Sequence, residues 1–332
     1  MEILKKIGIR VLLLAFIILA TAFIYKRYFF ADFLKEEGHL LYMLNRSVNA
    51  DYLFFSASSD YTFDAINDKD TGRVSFLTMN YCDKSIKSIA EGHHHAGVFK
   101  ELIKHIPENT IEGIIVAMNL RSFCPKWLTD EKSENALQQY AAAYAPNFPL
   151  VTRLRLALKN YPIKTKSELK ETRAEYFKTW VLPYPFPKNN IENWCAIEKY
   201  GDWKNAKRQL ADHYIKSYGF VIEKDHIRIN DFDEIVELAN IKNLRLIFHI
   251  LPEDMEEAQI LIGDSLTNLI TKNRNFMIQR YHQPQNNVWV IDNLEKVSHV
   301  DFTDRDFPTE HYNQNGRTII AKSIAQQLNA IK

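Results

Sequence analysis

Cysteine is scarce in this chain of 332 residues. There are three, Cys82, Cys124 and Cys195, widely scattered and with no Cys-x-x-Cys pair. That excludes a disulfide framework as the basis of the fold, and leaves either three free thiols or one bridge with a spare thiol. Excess charge of one sign is missing too. Forty-two basic residues face 41 acidic ones, for a formal net charge of +1. A nucleic-acid partner is therefore not expected, since a binder of polyanions carries a basic surplus. No internal repeat and no low-complexity tract is present. The remaining composition, 46% hydrophobic and 25% charged, is that of an ordinary globular chain with enough apolar material for one large domain or two small ones.

The N-terminus does carry a long apolar run. Lys5, Lys6 and Arg10 precede an uncharged stretch from residue 11 to 25, and Lys26 and Arg27 close it. A spanning helix needs about 20 apolar residues, and residues 7–25 approach that if Arg10 snorkels. Two readings follow. Ala20-Thr21-Ala22 resembles a signal-peptidase site, which would release the protein. The apolar run continues past that site, however, and Tyr28, Phe29 and Phe30 follow it like an interfacial aromatic belt. Residues 1–30 are accordingly read as a membrane anchor, with a cleaved signal as the alternative. Either way the bulk of the chain is expected on the extracytoplasmic side.

Five apolar segments read as strands: 52–56, 74–80, 113–119, 244–251 and 287–292. The third is apolar on both faces, as a central parallel strand is. Helical patterns fall between them at 85–105, 232–240, 254–280 and 316–330. Alternation of strand and helix predicts a three-layer α/β/α fold around a parallel sheet of about five strands. Residues 125–230 break the rhythm with four helical patterns (132–145, 151–160, 166–180 and 205–218) and a Pro-rich turn at 182–187. The predicted organisation is an α/β domain from 45–124 and 240–332, with a helical insertion over 125–239. The insertion falls at the C-terminal edge of the sheet, where open α/β sheets hold their ligands.

Two distant segments carry candidate chemistry. After the first strand comes Ala57-Ser58-Ser59-Asp60, a tight turn of small residues that presents a hydroxyl at the sheet edge, where a helix start would offer N–H groups to an oxyanion. Ser59 is the expected nucleophile. A serine needs an adjacent base, and His311, on a loop just before the last helix with carboxylates close by, is the candidate. Asn119, ending the third strand, and Gly92, after the second, are positioned to add an amide and a backbone N–H. His93-His94-His95 does not read as a metal site, because consecutive residues cannot all face one ion and no acidic or cysteine cluster completes a set.

Serine, glycine, asparagine and histidine in this order resemble the SGNH/GDSL hydrolase superfamily. Asn119-Leu-Arg-Ser-Phe123, the early apolar segment and Ile250-Leu-Pro252 look closest to its membrane-anchored branch, related to the D-alanyl-lipoteichoic-acid transfer protein and to polysaccharide O-acetyltransferases. The resemblance covers about residues 50–125 and 240–330. It implies a serine esterase or O-acyltransferase acting on a cell-envelope polysaccharide or acylated glycan, with no metal or organic cofactor and with a membrane-bound O-acyltransferase as a possible partner. Gly92 and Asn119 would complete the oxyanion hole. Three features depart from the family pattern. Ala57 replaces a glycine. The insertion is long. Pro308 stands where the family has aspartate, so the acid that orients His311 is assigned to Asp306, with Glu310 as runner-up and Asp301 and Asp304 open. A literal Gly263-Asp264-Ser265-Leu266 lies inside a helical pattern and is read as accidental. The alternative function is a catalytically silent binding or assembly module of the same fold.

Overall fold

The computed structural model describes residues 2–29, 44, 50–130, 132, 166–179, 197–202 and 204–331. Helix α1 (Glu2–Ile24) runs into a π-helical turn (Tyr25–Phe29). Within it Lys5–Phe29 is long and apolar enough to cross a membrane, the only such helix among the described residues. Leu12 and Phe16 are among its exposed side chains. It has the character of an anchor or a signal segment.

The globular part is built on five parallel strands: β1 (Tyr52–Ser56), β2 (Ile86–Ala90), β3 (Gly113–Met118), β4 (Arg245–Ile250) and β5 (Val288–Asp292), in the order β2-β1-β3-β4-β5. Side chains alternate between two cores. Leu53, Phe55, Ile114, Val116, Leu246 and Phe248 face one. Tyr52, Phe54, Ile115 and Ile247 face the other. The first core is covered by α3 (Ala96–Ile103), α7 (Ala206–Tyr218), α8 (Ile227–Ile241) and α10 (Asp264–Tyr281). The second is covered by α2 (Val74–Thr78) and α11 (Gln314–Ala330). Three shorter or more peripheral helices, α4 (Pro125–Leu128), α5 (Lys166–Thr179) and α6 (Ile197–Tyr200), lie in the segment between β3 and β4, and α9 (Met255–Leu261) follows β4.

The expected second strand is corrected. Residues 74–78 are helical, with Val74 and Leu77 buried three apart on one face, Phe76 exposed, and the Thr78 hydroxyl donating back to the Val74 carbonyl. The strand is 86–90 instead, inside the segment expected to be helical. It is an edge strand, so only Ile86 and Ile89 are buried, and that three-residue spacing imitates a helix. The long helix expected over 254–280 is broken at Gly263, whose φ of +95° suits glycine.

Of the segment read as an insertion, α7 and α8 belong to the main core: Tyr214, Ile215, Tyr218, Ile229, Phe232 and Ile235 are all buried in it. The helices expected over 132–145 and 151–160, and the Pro-rich turn at 182–187, fall outside the described residues. Cys82 and Cys124 are free thiols.

Candidate active site

The C-terminal ends of β2, β1 and β3 lie side by side, with Ser56 level with Ala90 and Phe55 level with Val116. Gly92, the turn 57–60 and Asn119 follow these ends within a few residues, so the parallel register delivers the three together. The turn is a single 3-10 helix, Ser58–Asp60, tightened by Asp60 N–H donating to the Ala57 carbonyl at 3.2 Å. A 3-10 turn points successive side chains about a third of a circle apart, so Ser58 and Ser59 face different ways. Ser59 points inward: it is 2% exposed and its Oγ lies 2.9 Å from Ser56 Oγ. Ser58 is the half-buried one, and its Oγ lies 3.0 Å from His311 Nε2. The hydroxyl that meets the imidazole is thus Ser58, in place of the expected Ser59.

Asp60 anchors the turn from below. Its buried carboxylate accepts from Ser75 N–H at 2.8 Å, Ser75 Oγ at 3.1 Å and Ser88 Oγ at 2.6 Å. Burial raises its pKa, while these hydrogen bonds and Arg73 pull the other way.

The histidine loop is a closed hairpin. Phe302 pairs with Tyr312 as an antiparallel bridge, and Thr303 N–H donates to the His311 carbonyl at 2.9 Å. That register brings Asp304, held at φ +55°, back beside the imidazole: its Oδ2 lies 2.7 Å from His311 Nδ1. Asp306 is exposed further along the loop, so Asp304 takes the place assigned to it. Asp301 instead accepts from Ser298, Asn313 and Asn315 and braces the loop.

An ionised carboxylate only accepts, so Nδ1 carries the proton and Nε2 is left to accept from the Ser58 hydroxyl. Burial lowers the His311 pKa below 6.5, against the opposing pull of Asp304 and with a smaller contribution from Arg121. The imidazole is neutral at pH 7, as a base must be.

A buried arginine joins the two loops. Arg317, at the start of α11, is 0% exposed. It donates to the carbonyls of Thr62, Gly72 and Tyr312 at 3.1, 3.0 and 2.9 Å, to that of Asp70, and to Asp68 Oδ2 at 2.8 Å. Gln314 adds to the seam: its Oε1 accepts from Lys69 and Asp70 N–H, and its own N–H donates to Asp68. The segment after Ser58 and the segment after His311 are therefore one polar unit, although 253 residues separate the two catalytic candidates.

At the end of β3, Asn119 is 8% exposed. Its Oδ1 accepts from Arg121 N–H at 2.8 Å, and its Nδ2 donates to Glu310. An amide nitrogen has two hydrogens, so one remains for a ligand. The Tyr61 phenol lies close over Gly92: a Cβ added there would sit 3.2 Å from Tyr61 Oη.

Of the consecutive histidines, His95 caps α3 by accepting from Gly97 N–H and meets Arg228 at 2.9 Å. His93 lies 3.4 Å from Asp130. A second histidine–carboxylate pair, His299 with Asp254 at 2.7 Å, faces Arg305 rather than a hydroxyl and ties the histidine loop to the start of α9. Ser265 sits in the first turn of α10, whose neighbour Leu266 is fully buried in the core. No family model matches the chain, and no curated protein matches it.

Proposed function

We propose that this chain is an SGNH-type serine esterase or O-acyltransferase, anchored or exported through its N-terminal helix and acting on acyl esters of an extracytoplasmic polymer or glycan. One observation carries the reading: the unbroken relay Ser58 Oγ–His311 Nε2, His311 Nδ1–Asp304 Oδ2, at 3.0 and 2.7 Å, on a turn at the C-terminal edge of a parallel sheet. In this scheme Ser58 Oγ attacks the acyl carbonyl carbon as its proton passes to His311 Nε2. The developing oxyanion takes the free hydrogen of Asn119 and a backbone N–H of the Ser58 turn. Collapse breaks the bond to the leaving alcohol, which recovers the proton from His311, and leaves an acyl-Ser58 ester. Water or a sugar hydroxyl then attacks this ester with His311 again as base. Asp304 holds the tautomer and offsets the imidazolium charge.

Labelling with a serine-directed fluorophosphonate tests the proposal. Wild type and Ser59→Ala should label, while Ser58→Ala and His311→Ala should not. Label retained in folded Ser58→Ala rejects Ser58. No label in the wild type at any pH rejects the enzyme and leaves a binding module of the same fold.

A further inference from the structure

We infer that Glu310 and Arg121 are positioning residues that hold the Asn119 amide in its oxyanion-binding pose and lock that pose to the histidine loop; this rests on the reading of Ser58 as nucleophile. Glu310 precedes the catalytic histidine and invites the role of triad acid, but its side chain turns the other way. One oxygen accepts from Asn119 Nδ2 and the other from Arg121 Nη2, while Arg121 Nη1 donates to the Pro308 carbonyl. The backbone N–H of the same Arg121 donates to Asn119 Oδ1 at 2.8 Å. These contacts form a closed ring: amide oxygen to Arg121 backbone, guanidinium to carboxylate, carboxylate to amide nitrogen.

The ring fixes more than a distance. A side-chain amide can rotate by half a turn, and only one orientation presents N–H to a substrate. With a donor at its oxygen and an acceptor at its nitrogen, Asn119 has a single satisfied orientation. A carboxylate next to an oxyanion site would ordinarily repel the charge that forms there. Arg121 neutralises it, and both side chains are largely out of water, at 11% and 2% exposure for Arg121 and Glu310. The Asn119–Arg121 segment leaves β3, and residues 308–310 lead into His311. The base and the oxyanion donor are thereby held by one ion pair.

A double-mutant cycle on fluorophosphonate labelling of the full chain separates this role from a merely structural one, with bond formation and reversible probe binding measured independently. Asn119→Ala should slow bond formation by about 10²–10³-fold, as loss of one oxyanion donor does. Glu310→Ala should slow it by roughly 10-fold or more with probe binding within about twofold, because the contact is made in the transition state. In the Asn119→Ala background, Glu310→Ala should cost less than about threefold, since it acts through the amide that is gone. Glu310→Gln, which keeps the shape, serves the same cycle if the alanine variant fails to fold. A Glu310 effect equal in both backgrounds, or confined to probe binding, overturns the inference while leaving Ser58 as nucleophile. Absence of label from wild type overturns both.

Discussion

The two ends of the sheet are both polar, and they are built differently. At the N-terminal edge Lys84 meets Glu112 at 2.7 Å and Arg245 meets the same carboxylate at 3.2 Å, with all three side chains roughly a third exposed. These are solvated pairs: the second joins the neighbouring strands β3 and β4, and the first reaches across the end of β1. At the C-terminal edge Asp60, Glu253, Glu310 and Arg317 are 2% exposed or less, and Asn119 8%. Glu310 and Arg317 bond to the segments after β3 and β1, 189 to 255 residues away in sequence, while Asp60 and Glu253 bond 15 to 35 residues away. Burying such groups is costly unless each is satisfied. A fold that concentrates them at one end is spending stability on geometry, and the end where this happens is the end that holds the Ser58–His311 contact.

The sharpest way to break the contrast is at His311. Replacing it with alanine should lower the acyl-transfer rate by about 10⁴-fold or more, as loss of a triad member does. In wild type the rate should fall on acidification with a midpoint below 6.5, because burial holds the imidazole's pKa down and the base is lost only when it takes a proton. A pH–rate profile measures this, and a midpoint above 6.5 would contradict the buried setting.

His311 was legible in the sequence because a loop histidine followed by a helix and flanked by carboxylates is a local pattern. The five-strand parallel sheet was legible from alternating apolar runs. The exact hydroxyl was not. Ser58 and Ser59 are chemically identical, and which one faces the imidazole depends on where β1 ends and the 3-10 turn begins. Asp304 was one of four acids the sequence offered and could not rank: the antiparallel bridge between Phe302 and Tyr312 sets which one returns to the ring, and no spacing rule announces it. The edge strand 86–90 lost its signal because half of it faces polar surroundings. Arg317 gave no signal at all, since an arginine near a helix start reads as surface.

That arginine supplies the next largest test. Arg317→Ala leaves Asp68 and several carbonyls without their buried donor and should destabilise the fold by roughly 3–5 kcal/mol, as breaking a buried pair does. Chemical denaturation reads it.

Glu253 comes next. It is fully buried after β4, takes the Tyr218 hydroxyl, and burial pushes its pKa up to about 7 from 4.5, with Arg121 opposing. The folded state keeps this proton where the unfolded chain has released it, so its contribution falls as pH rises from about 4.5 and levels off above 7. The stability of Glu253→Gln relative to wild type should therefore rise by about 3 kcal/mol from acid to mildly alkaline pH. A pH series of melting curves for the two proteins gives the difference directly, and a flat difference would mean that folding leaves the carboxyl's pKa unchanged.

The smallest effect belongs to the opposite edge. Lys84→Ala should cost less than about 1 kcal/mol and leave labelling of Ser58 unchanged, because an exposed pair contributes little. A loss of activity there would erase the distinction between the two ends.

The separation of 253 residues between hydroxyl and imidazole governs when the two groups can meet. A nascent chain that has made only its first strands carries an inert alcohol. Under the proposed function, reactivity arrives late, with closure of a very long loop. A protease cut between the two, followed by loss of either fragment, returns it to that silent condition.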